Sequence, residues 1–196
     1  MRVMITGHRP KSIGGYQTPN PIEQWVRGTL RTVLTGLLAR DPDIECVTGM
    51  ALGTDTIFAE ECLRLGIPFI AALPFTGQES RWPEASQNLY RTLLKQAKKV
   101  VVVDEIASYH SDHFAGKMFA RNKWMIDHSK LTIAVWDGSE EGGTGHTVAS
   151  VRRKKDRKML RLDPIRQTIT TEEPGQAQEQ EDDDVLDMFG EKSNGT

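Results

Sequence analysis

The most constraining feature of this sequence is an alternation. Short apolar runs rich in β-branched residues are separated, again and again, by longer segments with apolar residues every three or four positions. Arg2–Thr6, Ile44–Thr48, Pro68–Leu73, Lys99–Val103, Leu131–Trp136 and Lys158–Leu162 read as strands. The segments 21–39, 54–66, 84–97, 115–128 and 145–155 read as helices. In 21–39, Ile22, Trp25, Val26, Leu30, Val33, Leu34, Leu37 and Leu38 mark one buried helix face. A run such as Val100-Val101-Val102-Val103 is apolar on both strand faces, so it belongs in a sheet covered on both sides. Strand and helix in alternation require right-handed crossovers, which predicts a Rossmann-like α/β fold with a mostly parallel sheet and helices on both faces.

With 196 residues the chain fits one domain plus appendages. Its charge divides it. Residues 165–196 hold nine acidic residues against Arg166 and Lys192, a net charge of −7, whereas the whole chain carries −2, so residues 1–164 carry +5. The C-terminal stretch is rich in Gln, Glu, Gly and Asp and cannot bury enough apolar surface to offset its ordering entropy. The expected organisation is therefore a Rossmann-like domain over 1–164 and a disordered acidic tail over 165–196. Within that tail, Val185, Leu186, Met188 and Phe189 interrupt the acids, a pattern suited to docking on a protein partner with a basic surface. No stretch approaches the ~20 apolar residues of a membrane span, and the N-terminus lacks the apolar core of a signal peptide. These points predict a cytoplasmic protein with no membrane role. Cys46 and Cys62 lie in apolar stretches, as small buried hydrophobes of a reducing compartment do.

In a parallel sheet, ligands bind beyond the carboxyl ends of the strands, and the unusual residues of this chain cluster there. Gly7-His8-Arg9-Pro10 follows the first strand, Gly49 to Asp55 the second, and Pro74 to Gln78 leading to Arg81-Trp82-Pro83 the third; Asp137 to Thr147 follows the fifth. Gly142-Gly143-Thr144-Gly145 opens a predicted helix, where backbone N–H groups and the helix dipole favour phosphate. Gly49, Gly53 and Thr54 offer the same at the second helix. Both loops could equally serve tight packing, and neither is a P-loop or a G-x-G-x-x-G sequence. Arg9 and Arg81 are the expected guanidinium partners of phosphate. Trp82 is either a platform for a base or a loop tryptophan covering the core. Asp55 and Asp137 could accept ribose hydroxyls, and Asp55 could instead complement a helix N-terminus. His8 and Gln78 belong to the same rim.

Two other clusters carry less. Tyr109-His110-Ser111-Asp112-His113 falls short of a convincing metal-ligand set, and no metal is expected. The basic run from Arg152 to Lys158 could touch nucleic-acid phosphates or simply end a helix in solvent.

The segments TGHRP, GGY, TGMALGTD, GIPFIAALPFTGQESRWP, RNKWMIDHS and IAVWDGSEEGGTGHTV, in that order, resemble the YpsA-type branch of the SLOG superfamily, from Met1 to about Pro164. The resemblance implies a Rossmann-like fold and a nucleotide or nucleotide-derived ligand at the strand-end rim, in a bacterial or phage protein. Another branch, the LOG phosphoribohydrolases, carries P-G-G-x-G-T-x-E-E with glutamate serving glycosidic cleavage. Aligning the glycines puts Val148 and Ala149 where those glutamates stand, and neither residue can transfer a proton or stabilise an oxocarbenium ion. The expected function is binding or sensing of a nucleotide or derivative. The first alternative is a hydrolase or transferase acting on a glycosidic or phosphate bond through Glu79, Glu140, Asp127 or His146. The second is an adaptor working through the tail. A homo-oligomer is also consistent with the sequence, and a nucleic-acid partner is left open.

Overall fold

The structure is a computed structural model describing residues 1–16, 20–104 and 114–174. Its elements alternate as the hydrophobic pattern predicts: β1 (Arg2–Gly7), α1 (Pro21–Arg40), β2 (Glu45–Thr48), α2 (Thr54–Arg64), β3 (Phe69–Leu73), α3 (Glu84–Gln96), β4 (Lys99–Val102), α4 (Phe114–Asp127), β5 (Leu131–Val135), α5 (Gly142–Arg152), β6 (Lys158–Asp163) and β7 (Thr168–Glu172). They form one sheet in the order β4-β3-β2-β1-β5-β6-β7, parallel except for β7.

The handedness of the crossovers dictates the layers. From β1 to β4 the chain steps across the sheet in one direction, so α1, α2 and α3 fall on one face; α4 then carries it back past β1, so α4 and α5 fall on the other. The two cores confirm this. Val3 and Ile5 pack with Leu30, Phe58, Tyr90 and other residues of α1 to α3, while Met4, between them in sequence, packs with Met125 and Ile126 of α4 and Val148 and Val151 of α5. Cys46 and Cys62 are buried and unbridged within the first core.

Local chemistry starts and ties the helices. Asn20 caps α1 by accepting from the Glu23 amide at 2.7 Å, and Pro21 occupies the first turn, where a missing N–H costs nothing. Glu61 of α2, with no side-chain exposure, accepts from Arg31 at 2.7 and 3.1 Å and from Arg27 at 3.3 Å, which locks α1 to α2. Burial pushes the Glu61 carboxyl up, and the hydrogen bonds from Arg31 and Arg27 outweigh that effect, so its pKa falls below the ordinary glutamate value.

Two differences from the sequence expectation exceed a residue or two and bear on the site and the tail. Helix α5 begins at Gly142 rather than Gly145, so the glycines form its first turn instead of a preceding loop. Regular structure also continues beyond residue 164. Strand β7 pairs antiparallel with β6 from Asp163↔Thr168 to Met159↔Glu172, although 168–172 were expected to be disordered. The physical reason is charge. Glu172 takes Arg152 in a two-point contact at 2.9 Å, and Glu173 lies 3.0 Å from Lys158, so the first acids of the tail neutralise the basic run. Lys154 pairs with Asp127 at 3.1 Å. Arg152 and Arg161 also stack over the Trp136 ring at 5.1 and 4.8 Å, fastening β5, β6 and α5 together. The apolar quartet Val185, Leu186, Met188 and Phe189 lies outside the described residues.

Candidate functional site

The sheet order reverses at β1. The chain leaves β1 toward β2 and returns to its other side as β5, and a crevice opens beyond the carboxyl ends of adjacent parallel strands at such a point. A cavity of about 290 Å³ occupies this place. Gly7 and Arg9 line it from the loop after β1, Ala51 and Asp55 from the loop and helix after β2, Met118, Phe119, Arg121 and Asn122 from α4, and Gly143 and Thr144 from α5.

One wall is the start of α5. By helix geometry the N–H groups of Gly142, Gly143 and Thr144 have no partner within the helix, and the N-cap Glu141 makes no side-chain cap. A Cβ at Gly143 would meet nothing within 4 Å, so backbone is accessible there. Gly145 differs: its Cβ would stand 2.5 Å from the Glu140 carbonyl oxygen, so this glycine is required by packing. Thr144 donates its hydroxyl to the Gly7 carbonyl at 3.0 Å, and Thr147 donates to Gly143 O at 2.7 Å while accepting from Asn122 at 2.8 Å. These bonds fix α5 against β1 and α4.

The second glycine loop is built for the chain's own packing. A Cβ at Gly7 would lie 2.5 Å from Thr54 Cγ2, and one at Gly53, whose φ is +94°, would lie 2.8 Å from the His8 carbonyl oxygen. Thr54 donates both its amide and its hydroxyl to that carbonyl, at 3.2 and 3.0 Å. The α2 N-terminus is thereby occupied by the β1 loop, and neither Gly49 nor Gly53 lines the cavity. Met50 sits in the left-handed region at φ 54°, held by its N–H, which donates to Thr48 Oγ1 at 3.1 Å, and by Gln78, which donates to both Gly49 O and Met50 O.

A buried carboxylate and a buried guanidinium flank that strained loop. Asp55 is 7% exposed and accepts from the Ala51 amide at 3.2 Å. Arg121, 5% exposed, donates Nη1 to the Gly49 carbonyl and Nε to Asn122 Oδ1 at 2.8 Å. Its remaining nitrogen, Nη2, meets only the Met118 thioether, at 4.0 Å, among the described residues. Burial pushes the Asp55 carboxyl up, against the opposing pull of Arg121, the loop amides and Arg9. Burial likewise draws the Arg121 guanidinium down, against Asp55. The site thus has two guanidiniums, exposed Arg9 and buried Arg121, facing one carboxylate already bonded to backbone.

The other expected rim residues are distributed differently. His8 Nε2 lies 2.9 Å from Asp137 Oδ1 and 3.1 Å from the Asp137 amide, tying the β1 and β5 loops together outside the cavity lining. The Ser139 amide and His8 outweigh burial and hold the Asp137 carboxyl below its usual value. Gln78 is buried in the wall behind Gly49, bonded also to the Tyr90 hydroxyl at 3.3 Å. Trp82 meets Tyr90 edge-on at 5.3 Å and packs on the first core, and neither it nor Arg81 lines the cavity. The aromatic side chain at the cavity is instead Phe119, 39% exposed, with the His146 ring 4.3 Å away. Phe119 and Arg121 lie outside the rim residues that the sequence marks as ligand contacts, although Arg121 opens the RNKWMIDHS segment. The readable signal was Arg121 sharing a helix face with Met118, Asn122 and Met125, since a lone arginine on an apolar stripe must have a specific partner.

Of the alternative acid–base groups, His146 stands beside the cavity against Phe119, and the others lie elsewhere. Asp127 lies at the far end of α4, paired with Lys123 and Lys154, and Glu79 has Arg91 as its ion partner at 3.7 Å. Glu140 is exposed, and Val148 is buried in the second core. Among the described residues no cluster of His, Cys, Asp and Glu could hold a metal; Tyr109 to His113 fall outside them. No described helix is long and apolar enough to cross a membrane.

The chain is 31% identical over 135 residues to the SPbeta prophage-derived protein YoqJ of Bacillus subtilis, covering 63% of this chain and 78% of that one. It is 23% identical over 179 residues to a UPF0398 protein of Bacillus pumilus, covering 88% and 94%. DNA processing protein A (DprA) of Streptococcus pneumoniae superposes with a TM-score of 0.56 at 18% identity, over 97% of this chain; this chain spans only 62% of that one. The Helicobacter pylori DprA, described for its mode of binding single-stranded DNA, gives 0.56 at 19% identity, over 93% and 73%. At such identities the two structures share the fold. The YspA SLOG family model matches residues 3–169, and the chain belongs to the YspA SLOG family.

Proposed function

We propose that this protein binds a nucleotide or nucleotide derivative in the cavity at the β1 and β5 ends and acts as a binding or sensing protein. The observation that carries the reading is Arg121. A buried guanidinium with one nitrogen facing only a thioether is costly unless an anion completes it, and it lines the same cavity as the open first turn of α5. In this reading phosphate lies between Arg121, Arg9 and the amides of Gly143 and Thr144, and the base lies against Phe119. Asp55 positions Arg121 and does not read the ribose. The cavity volume suits a mononucleotide better than a dinucleotide, being at the small end of ligand pockets.

A second reading is that the bound nucleotide is part of a single strand of nucleic acid. It is supported by the fold shared with the H. pylori DprA, whose description names single-stranded DNA. Calorimetric titration of nucleoside mono-, di- and triphosphates, the matching nucleosides and a short single-stranded oligonucleotide tests both. Saturable heat with nucleotides alone supports the first reading, with the oligonucleotide alone the second, and with neither defeats both.

A further inference from the structure

Arg121 is aimed by a neighbour that brings no charge of its own. Its Nη1 donates to the Gly49 carbonyl and its Nε to Asn122 Oδ1 at 2.8 Å, so two corners of a planar guanidinium are held and the direction of the third, Nη2, follows from them. Nη2 points to the Met118 thioether, and Met118, Arg121 and Asn122 all line the cavity. The bonding continues through Asn122. Its Nδ2 donates to Thr147 Oγ1 at 2.8 Å, and the Thr147 hydroxyl donates to the Gly143 carbonyl at 2.7 Å, in the first turn of α5. Each direction in this chain is forced. A guanidinium only donates, so Asn122 turns its oxygen to Arg121 and its nitrogen to Thr147; that hydroxyl accepts from Asn122 and gives its own proton to Gly143.

The residue type at 122 matters. A carboxylate there would grip the guanidinium more strongly and cancel its charge, whereas an amide fixes its plane and leaves the charge for an incoming anion. A contact that served only to pack α4 on α5 would have no need to pass through a buried cation. We propose that Asn122 is a positioning residue of the cavity, which aims Arg121 without neutralising it and joins it through Thr147 to the first turn of α5. The proposal rests on the anion-binding reading of the cavity and adds that its donors form one preset unit. The Arg9 side belongs to the same unit, because Thr144, three residues before Thr147, donates its hydroxyl to the carbonyl of Gly7 in the segment that leads to Arg9. Two hydroxyls of α5 therefore tie both guanidinium-bearing segments to one helix start. Donors held in place before the anion arrives spend little of its binding energy on ordering.

Two measurements on the full chain test this, one without any ligand. In arginine-labelled protein the Arg121 Nε–H resonance, assigned through its contacts with Asn122, should be sharp and slow to exchange with water. Thr147 bonds Asn122 and not Arg121, yet Thr147→Val should broaden or shift that resonance, because the Asn122 amide loses its anchor, and Thr147→Ser should restore it. Calorimetry with inorganic phosphate and ribonucleoside 5′-monophosphates is the second measurement. Asn122→Asp should weaken whichever of these binds the wild type by ~10-fold or more, the loss expected when a charged donor is neutralised, with the melting temperature unchanged or raised. An Arg121 resonance indifferent to Thr147→Val, or Asn122→Asp binding as tightly as wild type, overturns the positioning role and leaves the binding reading standing. A wild type that binds none of the probes defeats the binding reading instead, and the Arg121 resonance still decides whether Asn122 and Thr147 aim the guanidinium. Should Asn122→Asp fail to fold, Thr147→Val and Thr147→Ser decide in both measurements.

Discussion

Arg121 and Asp55 come from opposite faces of the sheet and meet at Gly49. A Cβ on that glycine would stand 1.7 Å from Arg121 Nη1 and 2.9 Å from Asp55 Oδ2, so the absence of a side chain is what lets the guanidinium reach the loop carbonyl. The glycine therefore leaves room for the Arg121 guanidinium beside the Asp55 carboxylate. Gly49→Ala should displace Arg121 and leave Asp55 buried beside an emptied position. Overpacking and the separated charges together predict a loss of about 3 kcal/mol or more in urea unfolding. A variant as stable as wild type would show that the pair is not held this way.

Gly143 and Gly145, two residues apart, should respond oppositely. Gly143→Val enters open space, so melting should hardly move while nucleotide binding falls ~10-fold or more, as the side chain covers the α5 amides. Gly145→Val meets the Glu140 carbonyl and should lower the melting temperature by several degrees. Loss of stability and binding together in Gly143→Val would mean that its turn is only structural.

Glu61 supplies a pH dependence. Its folded pKa lies below the ordinary glutamate value of 4.5, so the stability it contributes is fully present above that value and is lost as pH falls through the lower, folded value. Glu61→Gln should cost about 2 kcal/mol at neutral pH, a figure reduced by the partial exposure of Arg27 and Arg31. It should also flatten the acid limb of the stability profile below pH 4.5. An unchanged acid limb would place the titrating group elsewhere.

Nucleoside monophosphates should survive incubation with this protein. Val148 occupies the place of a LOG glutamate by sequence and packs inside the second core, so even Val148→Glu should unfold the protein rather than create a proton donor at the cavity. Free base appearing at ~1 per second, an ordinary enzymatic rate, would contradict the binding-only account.

The sheet was legible because β1, β3 and β5 are apolar on both faces and are covered on both, whereas the equally apolar Val100–Val102 run forms the edge strand β4, where Val100 is 43% exposed. Strand β7 was not, because Thr-Ile-Thr-Thr-Glu lies in an acidic stretch and its order depends on Arg152 and Lys158, which no local pattern connects to it. The rim was legible as a set of loops, and the division of labour within it was not. Glycines at 49 and 53 look like phosphate loops until the positions of Arg121 and His8 are known. Trp82 and Phe119 illustrate the same limit, since stacking partners are decided by packing between distant segments. Arg121 lies 72 residues from the carbonyl that it binds, and only the fold brings them together.

The most direct test of a phosphate-reading cavity uses Arg9, whose exposed position leaves the fold indifferent to its loss. Calorimetry should compare a nucleoside 5′-phosphate that binds the wild-type protein with its unphosphorylated nucleoside, on wild type and Arg9→Ala. The account predicts that Arg9→Ala weakens the phosphorylated ligand by ~1.5–3 kcal/mol, the value of a hydrogen bond to a charged group, and leaves the nucleoside nearly unchanged. Equal losses for both ligands, or no loss for either, would contradict it.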